Sequence, residues 1–425
     1  MKRRTFCSLP LAAAVRLTAQ TSSSDADFQA PKAALERWKD LRFGMFIHWG
    51  PVSIVGTEIS WSRGAERRGR KGVGDVPVEV YDNLYRMFNP VKFNADEWVQ
   101  LAKDCGMKYL VFTSKHHDGF CMFKTQYTKY NIVDGTPYKR DALAMLSNAC
   151  ADEGIRFGFY HSIEDAHQSG INSFRRMKDE GFDKYEIYMQ GQLEELLTNY
   201  GPIGSIIFDG QWIPQWNEEK GEELGNLVRS LQPKVVVNDR VGKQYQSGDY
   251  NTPEQFIPKT IPERDWETCM TINKSWGYNR LDHVWKSTTK LIQNLAIIAS
   301  KNGNFLLNVG PTSKGIIPKP EVDRLNEIGK WMEVNGDAIH GTTAGPLQKL
   351  SWGCTTQKPG KIFLHVFNWP QGELVVEGLN SDPGKASLLL PAGKQELQIS
   401  KTAGKLSIKV PRNPAHTADS VIVLE

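Results

Sequence analysis

The sequence predicts an α/β protein in which a (β/α)8-like (TIM) barrel precedes an antiparallel β-sandwich. The first reason is that short apolar runs alternate with amphipathic segments of helical period over residues 30–344. The second is that this period stops near residue 345, and short runs separated by turn residues follow to residue 425. The chain of 425 residues is long enough for one large and one small domain.

The barrel prediction depends on strands and helices that follow one another in regular order. The predicted strands are residues 43–49, 109–114, 157–161, 205–208, 235–238, 268–272 and 305–309. Helices are predicted between them at residues 96–105, 143–153, 185–200, 218–231 and 289–301. Glycine tolerates the left-handed conformation that ends helices, and glycines follow four of these segments, at Gly106, Gly154, Gly201 and Gly303. About seven or eight βα units are therefore expected.

The last 81 residues, 345–425, have the pattern of a small antiparallel domain. Pro-Gly, Asn-Ser-Asp-Pro-Gly and Ala-Gly-Lys are turn sequences, and apolar runs lie between them. The predicted strands are residues 361–368, 372–378, 385–390, 396–400, 405–410 and 420–424. We expect a β-sandwich that packs on the barrel.

The first 19 residues resemble an export signal. A basic start that includes Arg3-Arg4-Thr5-Phe6 precedes a short apolar stretch, as in twin-arginine signals, and that stretch is too short for a membrane anchor. The chain is therefore predicted to be exported to the periplasm or secreted from a bacterium. Without this segment Lys+Arg falls from 52 to 48 and equals the 48 Asp+Glu, so the charge gives no reason to expect a nucleic-acid partner.

Polar side chains follow successive predicted strands. In a barrel of this kind the catalytic groups lie at the carboxyl ends of the strands, where they meet in one pocket. These ends read His48-Trp49-Gly50, His116-His117-Asp118, Tyr160-His161, Asp209-Gly210 and Asn238-Asp239-Arg240. A single polar strand end is common, but five in succession favour a functional site.

Carboxylates supply the chemistry that this pocket suggests. Asp209 follows an apolar strand and precedes a glycine, and the next helix begins too far downstream for Asp209 to cap it. Glu254 and Glu267 are acidic partners further along the chain. A nucleophilic carboxylate with a proton-donating carboxylic acid about 5 to 5.5 Å away is the arrangement of retaining glycoside hydrolysis.

Several motifs carry a resemblance to one family. They are Phe43-Gly-Met-Phe-Ile-His-Trp-Gly, Lys115-His-His-Asp-Gly-Phe, Phe208-Asp-Gly, Val237-Asn-Asp-Arg, Trp266-Glu-Thr, Ser275-Trp-Gly-Tyr-Asn and Gly303-Asn-Phe-Leu-Leu-Asn-Val-Gly-Pro. In this order, from about residue 30 to residue 345, they resemble the motifs of glycoside hydrolase family 29, the α-L-fucosidases. The resemblance implies a retaining exo-α-L-fucosidase that acts on a fucosylated oligosaccharide or glycan and needs no cofactor or metal.

The resemblance also implies roles for individual residues. Asp209 corresponds to the nucleophile that forms a covalent fucosyl-enzyme, and either Glu254 or Glu267 corresponds to the acid/base, with Glu254 slightly favoured. Glu58 and Trp61 are expected near the rim of the pocket, and Ile207 stands where relatives often have tryptophan. The implied fucose contacts are His48, His116, His117, Tyr160, Arg240 and Trp276.

The sequence is also compatible with two rival functions and with one refinement of the substrate. His48, His116, His117, His161 and Asp209 are also the residue types of a metal-dependent barrel hydrolase, and loss of the chemistry would leave a non-catalytic fucose-binding protein. The basic segment at residues 63–71 suggests sulfated fucans as substrates. The sequence makes no prediction of oligomeric state.

Overall fold

The computed structural model describes residues 29–64, 76–168, 181–244, 247–348, 350–402 and 404–425. The predicted export signal at residues 1–19 lies outside these ranges. Seven parallel strands form the first sheet. In chain order they are β1 Phe43–Ile47, β2 Tyr109–Lys115, β3 Arg156–Ser162, β4 Ser205–Asp209, β5 Val236–Val237, β6 Glu267–Thr271 and β7 Asn304–Val309.

Helices connect these strands and cover the outside of the sheet. The helix bounds are α1 Lys32–Lys39, α2 Val78–Tyr81, α3 Ala95–Asp104, α4 Ala142–Glu153, α5 Phe182–Asn199, α6 Glu218–Leu231, α7 Thr288–Ala299 and α8 Lys319–Asn335. The helix α1 precedes β1, α2 and α3 lie between β1 and β2, and α8 follows β7. Side chains of Asn94, Asp141, Asn217 and Ser287 accept backbone N–H bonds at the starts of α3, α4, α6 and α7.

The strand order is β5-β4-β3-β2-β1-β7-β6, which leaves β5 and β6 at the two edges. Residues 250–254 lie between these edges. Tyr250 bridges Asn238 beyond the end of β5, while Asn251 and Glu254 bridge Trp266 and Cys269 at β6, all in parallel orientation. This segment occupies the eighth position, so the predicted (β/α)8-like barrel is confirmed with one irregular member.

Alternation along each strand decides which residues face the barrel interior. Phe46, Ile207 and Leu306 belong to the interior cluster, whereas their neighbours in sequence pack outward against the helices. The same alternation directs Asp209 inward at the carboxyl end of β4. At the opposite, amino-terminal end, Tyr109 and Glu267 are also buried inside. The interior is therefore apolar in its middle and polar at both ends.

The prediction that four glycines end helices in the left-handed conformation was confirmed in part. Gly154 caps α4 with a φ of 68°, and Gly106 and Gly201 also have left-handed φ values. The prediction for Gly303 was wrong, because Asn302 takes the left-handed conformation after α7 with a φ of 63°. A Cβ atom on Gly303 would lie 2.3 Å from the Trp266 ring, so packing explains the glycine there.

The C-terminal part forms two antiparallel sheets, which confirms the predicted sandwich. In chain order the strands are β8 Thr343–Ala344, β9 Gly353–Lys358, β10 Lys361–Val366, β11 Glu373–Glu377, β12 Ala386–Leu390, β13 Gly393–Leu397, β14 Ile399–Thr402, β15 Lys405–Lys409 and β16 Ser420–Leu424. One sheet has the order β13-β12-β16-β10-β9-β8 and the other β11-β15-β14. The sequence did not predict β9, because Gly-Cys-Thr-Thr-Gln-Lys has little apolar alternation.

The sandwich packs on the helices that precede it. Trp331 of α8 donates its indole N–H to the Asp419 carbonyl at 2.9 Å, and Gln293 of α7 donates to the Ala418 carbonyl at 3.0 Å. Phe363 and Val421 join the same hydrophobic cluster as the barrel helices. Among the described helices, none has the length and apolar character needed to cross a membrane.

Candidate active site

Asp209 is the last residue of β4, and two side chains donate hydrogen bonds to its carboxylate. Arg240 donates from Nη1 to Oδ1 at 3.0 Å, and the Tyr160 hydroxyl donates to Oδ2 at 3.0 Å. His117 Nε2 lies 3.5 Å from the same Oδ2 atom. The Asp209 side chain keeps 11% of its surface exposed, so a carboxylate oxygen is fixed in direction and still reachable by a substrate.

Arg240 links Asp209 to Glu254. Its second terminal nitrogen, Nη2, donates to Glu254 Oε2 at 3.0 Å and to the Thr252 carbonyl at 3.3 Å. Burial alone would lower the pKa of Arg240, but the charges of Asp209 and Glu254 raise that pKa well above its usual range. The guanidinium is therefore a permanent cation that holds two carboxylates near each other.

Glu267 lies at the other end of the barrel. It is the first residue of β6 and accepts hydrogen bonds from Tyr109 at 2.5 Å and from Tyr250 at 3.4 Å. Burial raises the pKa of Glu267 to about 7, although both tyrosine hydroxyls lower it. The structure thus brings Glu254, but not Glu267, into contact with the groups around Asp209.

His48 follows β1 and is fixed as one tautomer. Its Nδ1 lies 2.6 Å from Asn308 Oδ1. The amide nitrogen of Asn308 donates to the Trp276 carbonyl at 2.6 Å, so the amide oxygen faces His48 and Nδ1 carries the proton. Burial lowers the pKa of His48 to about 4, with the Asn308 bond and the Asp209 charge opposing this. The ring is neutral at pH 7, with Nε2 as an acceptor.

The adjacent histidines that follow β2 make different contacts. The His116 ring stacks on the Tyr160 ring, with centroids 5.0 Å apart and planes at 10°, and its Nδ1 contacts the Ser60 hydroxyl. His117 Nδ1 lies 2.6 Å from the Ser162 hydroxyl, which donates to the Glu164 carbonyl at 2.6 Å. The Ser162 oxygen therefore accepts a hydrogen bond from the Nδ1–H of His117, and Nε2 is the ring nitrogen that faces Asp209.

Glu58 and Trp61 are buried rather than at an open rim. The Glu58 carboxylate accepts from the Trp61 indole N–H at 2.6 Å and from the Trp276 backbone N–H at 2.9 Å. Glu58 adopts a positive φ of 83°, which is uncommon for a residue with a side chain. The loop after β1 thus fixes Trp276, whose ring lies 5.0 Å from the His48 ring.

Two features considered from the sequence are placed elsewhere. His161 faces the opposite side of β3 from Tyr160, where it contacts Ser114 at 3.0 Å, and burial lowers its pKa well below the usual range. Arg63 forms a bidentate pair with Asp82 at 2.7 Å, and residues 65–71 of the basic segment lie outside the described chain. Within the described ranges no three His, Cys, Asp or Glu side chains are placed to share a metal ion.

Comparison with known proteins decides the family. The sequence model described as "Alpha-L-fucosidase" matches residues 11–337. The chain belongs to the alpha-L-fucosidase family. Among its relatives, the human tissue alpha-L-fucosidase is 31% identical over 409 residues, which cover 89% of this chain and 86% of the human protein. An alpha-L-fucosidase from Dictyostelium discoideum is 29% identical, with 85% of each chain covered.

Solved structures of fucosidases have the same fold. Alpha-L-fucosidase isoenzyme 1 from Paenibacillus thiaminolyticus superimposes with a TM-score of 0.83 at 36% identity, covering 92% of this chain and 98% of that one. A family 29 fucosidase from Bacteroides thetaiotaomicron, trapped as a covalent intermediate in a glutamate-to-glutamine mutant, gives 0.83 at 30% identity over 93% and 97% of the two chains. Members of this family are glycoside hydrolases, and this chain shares their barrel and sandwich.

In this fucosidase family member, some residues of the site were not predicted from the sequence. Asn308 and Ser162 fix the histidines, and the Trp212 indole donates to Glu164 at 2.8 Å while lying 5.1 Å from the His117 ring. Asn308 and Ser162 share one detectable signal, since each lies at an inward position near the carboxyl end of a strand. Neutral polar residues in such positions are common, which is why their positions alone did not predict a role.

Proposed function

We propose that this protein is a retaining exo-α-L-fucosidase that removes terminal α-L-fucosyl residues from glycans. Asp209 attacks the anomeric carbon and forms a covalent fucosyl-enzyme, while Glu254 protonates the departing glycosidic oxygen. Glu254 then takes a proton from water, which attacks the same carbon and releases fucose with retained configuration. His48, His116, His117 and Tyr160 contact the sugar hydroxyls, and Trp276 packs on the C5 methyl group.

The observation that carries this proposal is the link from Asp209 through Arg240 to Glu254. One guanidinium contacts both carboxylates at 3.0 Å, so the two groups required for double displacement lie on the same side of the barrel. The Tyr160 hydroxyl adds a hydrogen bond to Asp209 from the neighbouring strand β3. A nucleophile held in this way needs little reorganisation before it attacks.

The choice of acid/base rests on geometry. Glu267 has the raised pKa of about 7 that suits a proton donor at neutral pH, but it is bonded to Tyr109 and Tyr250 at the amino-terminal end of the strands. A general acid has to reach the leaving oxygen, so position takes precedence over pKa. Glu254 is linked to the proposed nucleophile through Arg240 and keeps 34% of its side chain exposed, so a substrate oxygen can reach it.

The decisive experiment compares Asp209→Ala, Glu254→Ala and Glu267→Ala on an aryl α-L-fucoside. Asp209→Ala should lose several orders of magnitude in kcat with its fold intact. With added azide, Glu254→Ala should regain turnover and give the α-fucosyl azide, because azide then attacks the covalent intermediate. Glu267→Ala should not respond to azide. Substantial residual activity in Asp209→Ala, or rescue of neither glutamate variant, overturns the assignment.

We also propose that residues 1–19 direct export of the chain, on the basis of their basic start and short apolar stretch. Expression of the whole chain in a bacterium, followed by fractionation and mass spectrometry of the N-terminus, tests this. Recovery of the uncleaved chain from the cytoplasm alone contradicts it.

A further inference from the structure

Asn308 joins two residues of the proposed sugar site. It lies near the carboxyl end of β7, with only 1% of its surface exposed. In the strand register Asn308 is paired with Phe46 of β1 on one side and with Thr271 of β6 on the other. It therefore lies between the strand that leads to His48 and the strand that leads to Trp276.

The amide of Asn308 makes one contact to each of these residues, and only one orientation satisfies both. The Trp276 carbonyl can only accept, so the Asn308 nitrogen donates to it at 2.6 Å. The amide oxygen then accepts from His48 Nδ1, also at 2.6 Å. Neutral imidazole carries one N–H proton, which in His48 is on Nδ1. Nε2 therefore presents a lone pair to a substrate hydroxyl.

The backbone N–H and the backbone carbonyl of Trp276 are both hydrogen-bonded to side chains. Glu58 accepts the Trp276 N–H at 2.9 Å, and Asn308 donates to its carbonyl oxygen. The same Glu58 carboxylate accepts from Trp61. A continuous set of hydrogen bonds thus runs from Trp61 through Glu58, Trp276 and Asn308 to His48. In this set Asn308 is the hydrogen-bonded link between Trp276 and His48, whose rings also lie 5.0 Å apart.

We propose that Asn308 is a positioning residue for fucoside hydrolysis, which holds His48 as a hydrogen-bond acceptor and fixes the backbone of Trp276. This inference rests on the proposed function, in which His48 and Trp276 bind the fucosyl ring. A residue that hydrogen-bonds the ring nitrogen facing away from the ligand commonly decides both the tautomer and the direction of a ligand-binding histidine. Small displacements of such groups reduce rate strongly, because the substrate is no longer aligned with the nucleophile.

The test is the pH dependence of kcat/KM for Asn308→Asp. A carboxylate at this position faces the His48 ring and favours its protonated form, which cannot accept a substrate hydroxyl. The titratable groups already near His48 are Asp209, His116 and Tyr160, and the variant leaves them unchanged. We expect the acid limb of the profile to move upward by about one pH unit or more, with activity recovered at higher pH.

Asn304→Asp is the matched control. Asn304 lies on the same strand, is fully buried, and donates its amide to the Trp38 carbonyl at 2.9 Å. This variant places the same buried acid at the other end of β7, so it should lose stability and keep the wild-type profile shape. An Asn308→Asp profile that is uniformly low but unshifted shows a merely structural role and overturns the proposal.

Asn308→Ala keeps the proposal testable if the aspartate variant does not fold. It removes both contacts without adding a charge, and we expect kcat/KM to fall by about 10²-fold with the circular dichroism spectrum unchanged. Retention of kcat/KM within about threefold contradicts the proposal. Failure of the proposed function is distinguished by the wild-type protein, which would then not hydrolyse an aryl α-L-fucoside at all.

Discussion

Arg240 contacts both proposed catalytic carboxylates, and this depends on the shape of its side chain. The guanidinium presents separate N–H groups to Asp209 and Glu254 in one plane, while a lysine ammonium is a single point of charge. With a side-chain exposure of 13%, the group is also shielded from water, which strengthens its electrostatic interactions. The distance between the two carboxylates therefore depends on the planar shape of the Arg240 guanidinium as well as on its charge.

Replacing Arg240 by lysine should lower kcat by about 10²-fold, because one ammonium cannot hold both carboxylates in their present directions. Steady-state kinetics on an aryl fucoside measures this. Arg42→Lys is the control, since Arg42 is buried and donates to the carbonyls of Thr342 and Gly303 away from Asp209. The control should lose stability but keep kcat. Equal kcat values for Arg240→Lys and the wild type would refute the spacing role.

The sequence predicted individual residues best where a titratable group follows a strand. His48, Asp209 and Arg240 were predicted in this way, and the structure places all three at the carboxyl-terminal ends of the strands, with Arg240 bonded to Asp209. Asn308 was not found, because a neutral amide at a strand end is as common in a core as in a site. Glu267 was grouped with Glu254, because sequence spacing does not show which end of a strand a partner loop reaches.

The strands of the barrel were predicted to within a few residues because each is an apolar run with polar ends. The eighth member, residues 250–254, was not predicted as a strand. It contains Pro253 and its backbone pairs with its neighbours through isolated bridges, so it lacks both the apolar run and the regular ladder of a strand. Its position depends on contacts with β5 and β6 that a local sequence pattern does not encode.

Glu267, at the amino-terminal end of β6, has a raised pKa, which predicts that the free energy of unfolding depends on pH. Burial raises the pKa of Glu267 from its ordinary 4.5 to about 7, so the folded state binds its proton more tightly than the unfolded state. Glu267 therefore stabilises the fold below about pH 4.5 relative to high pH, and this contribution is lost as pH rises to about 7. The difference is on the order of 3 kcal/mol.

Glu267→Gln should remove this part of the pH dependence. Urea unfolding at several pH values between 4 and 8 should show a smaller decline in the free energy of unfolding for the variant than for the wild type. Glu263→Gln, four positions earlier and exposed, should decline as the wild type does. Parallel curves for Glu267→Gln and the wild type would show that Glu267 does not titrate differently in the folded state.

At the scale of the whole molecule, one side of the sandwich packs into the main hydrophobic cluster of the barrel, and the sandwich also has a cluster of its own. Trp331 is buried and bonded to the Asp419 carbonyl, and Leu389, Val421 and Val423 of the sandwich lie in the barrel's main hydrophobic cluster. A buried pair between His365 and Asp419, at 2.7 Å, lies next to this contact. Because separating the two parts would expose the apolar side chains of this contact, we expect them to unfold together.

Trp331→Ala tests this coupling. The cavity left by the indole should cost about 3 to 5 kcal/mol, and calorimetry should still show a single transition at a lower temperature. Trp369→Ala is the comparison, because Trp369 is partly exposed and packs only on the sandwich cluster. It should cost less. Two separated transitions in either variant would show that the domains are independent.

The backbone at Asp209 is a regular strand, whereas the backbone at Glu254 is irregular. Asp209 ends a strand that is paired on both sides, whereas Glu254 lies between Pro253 and Gln255, whose φ is 63°, in a segment with isolated bridges. Insertions or substitutions at residues 250–256 can therefore move the proton donor without rebuilding the sheet that holds the nucleophile and the sugar contacts. In evolution, tolerance for new leaving groups can then change while recognition of the sugar is preserved, and laboratory selection for new glycan linkages should begin with this segment.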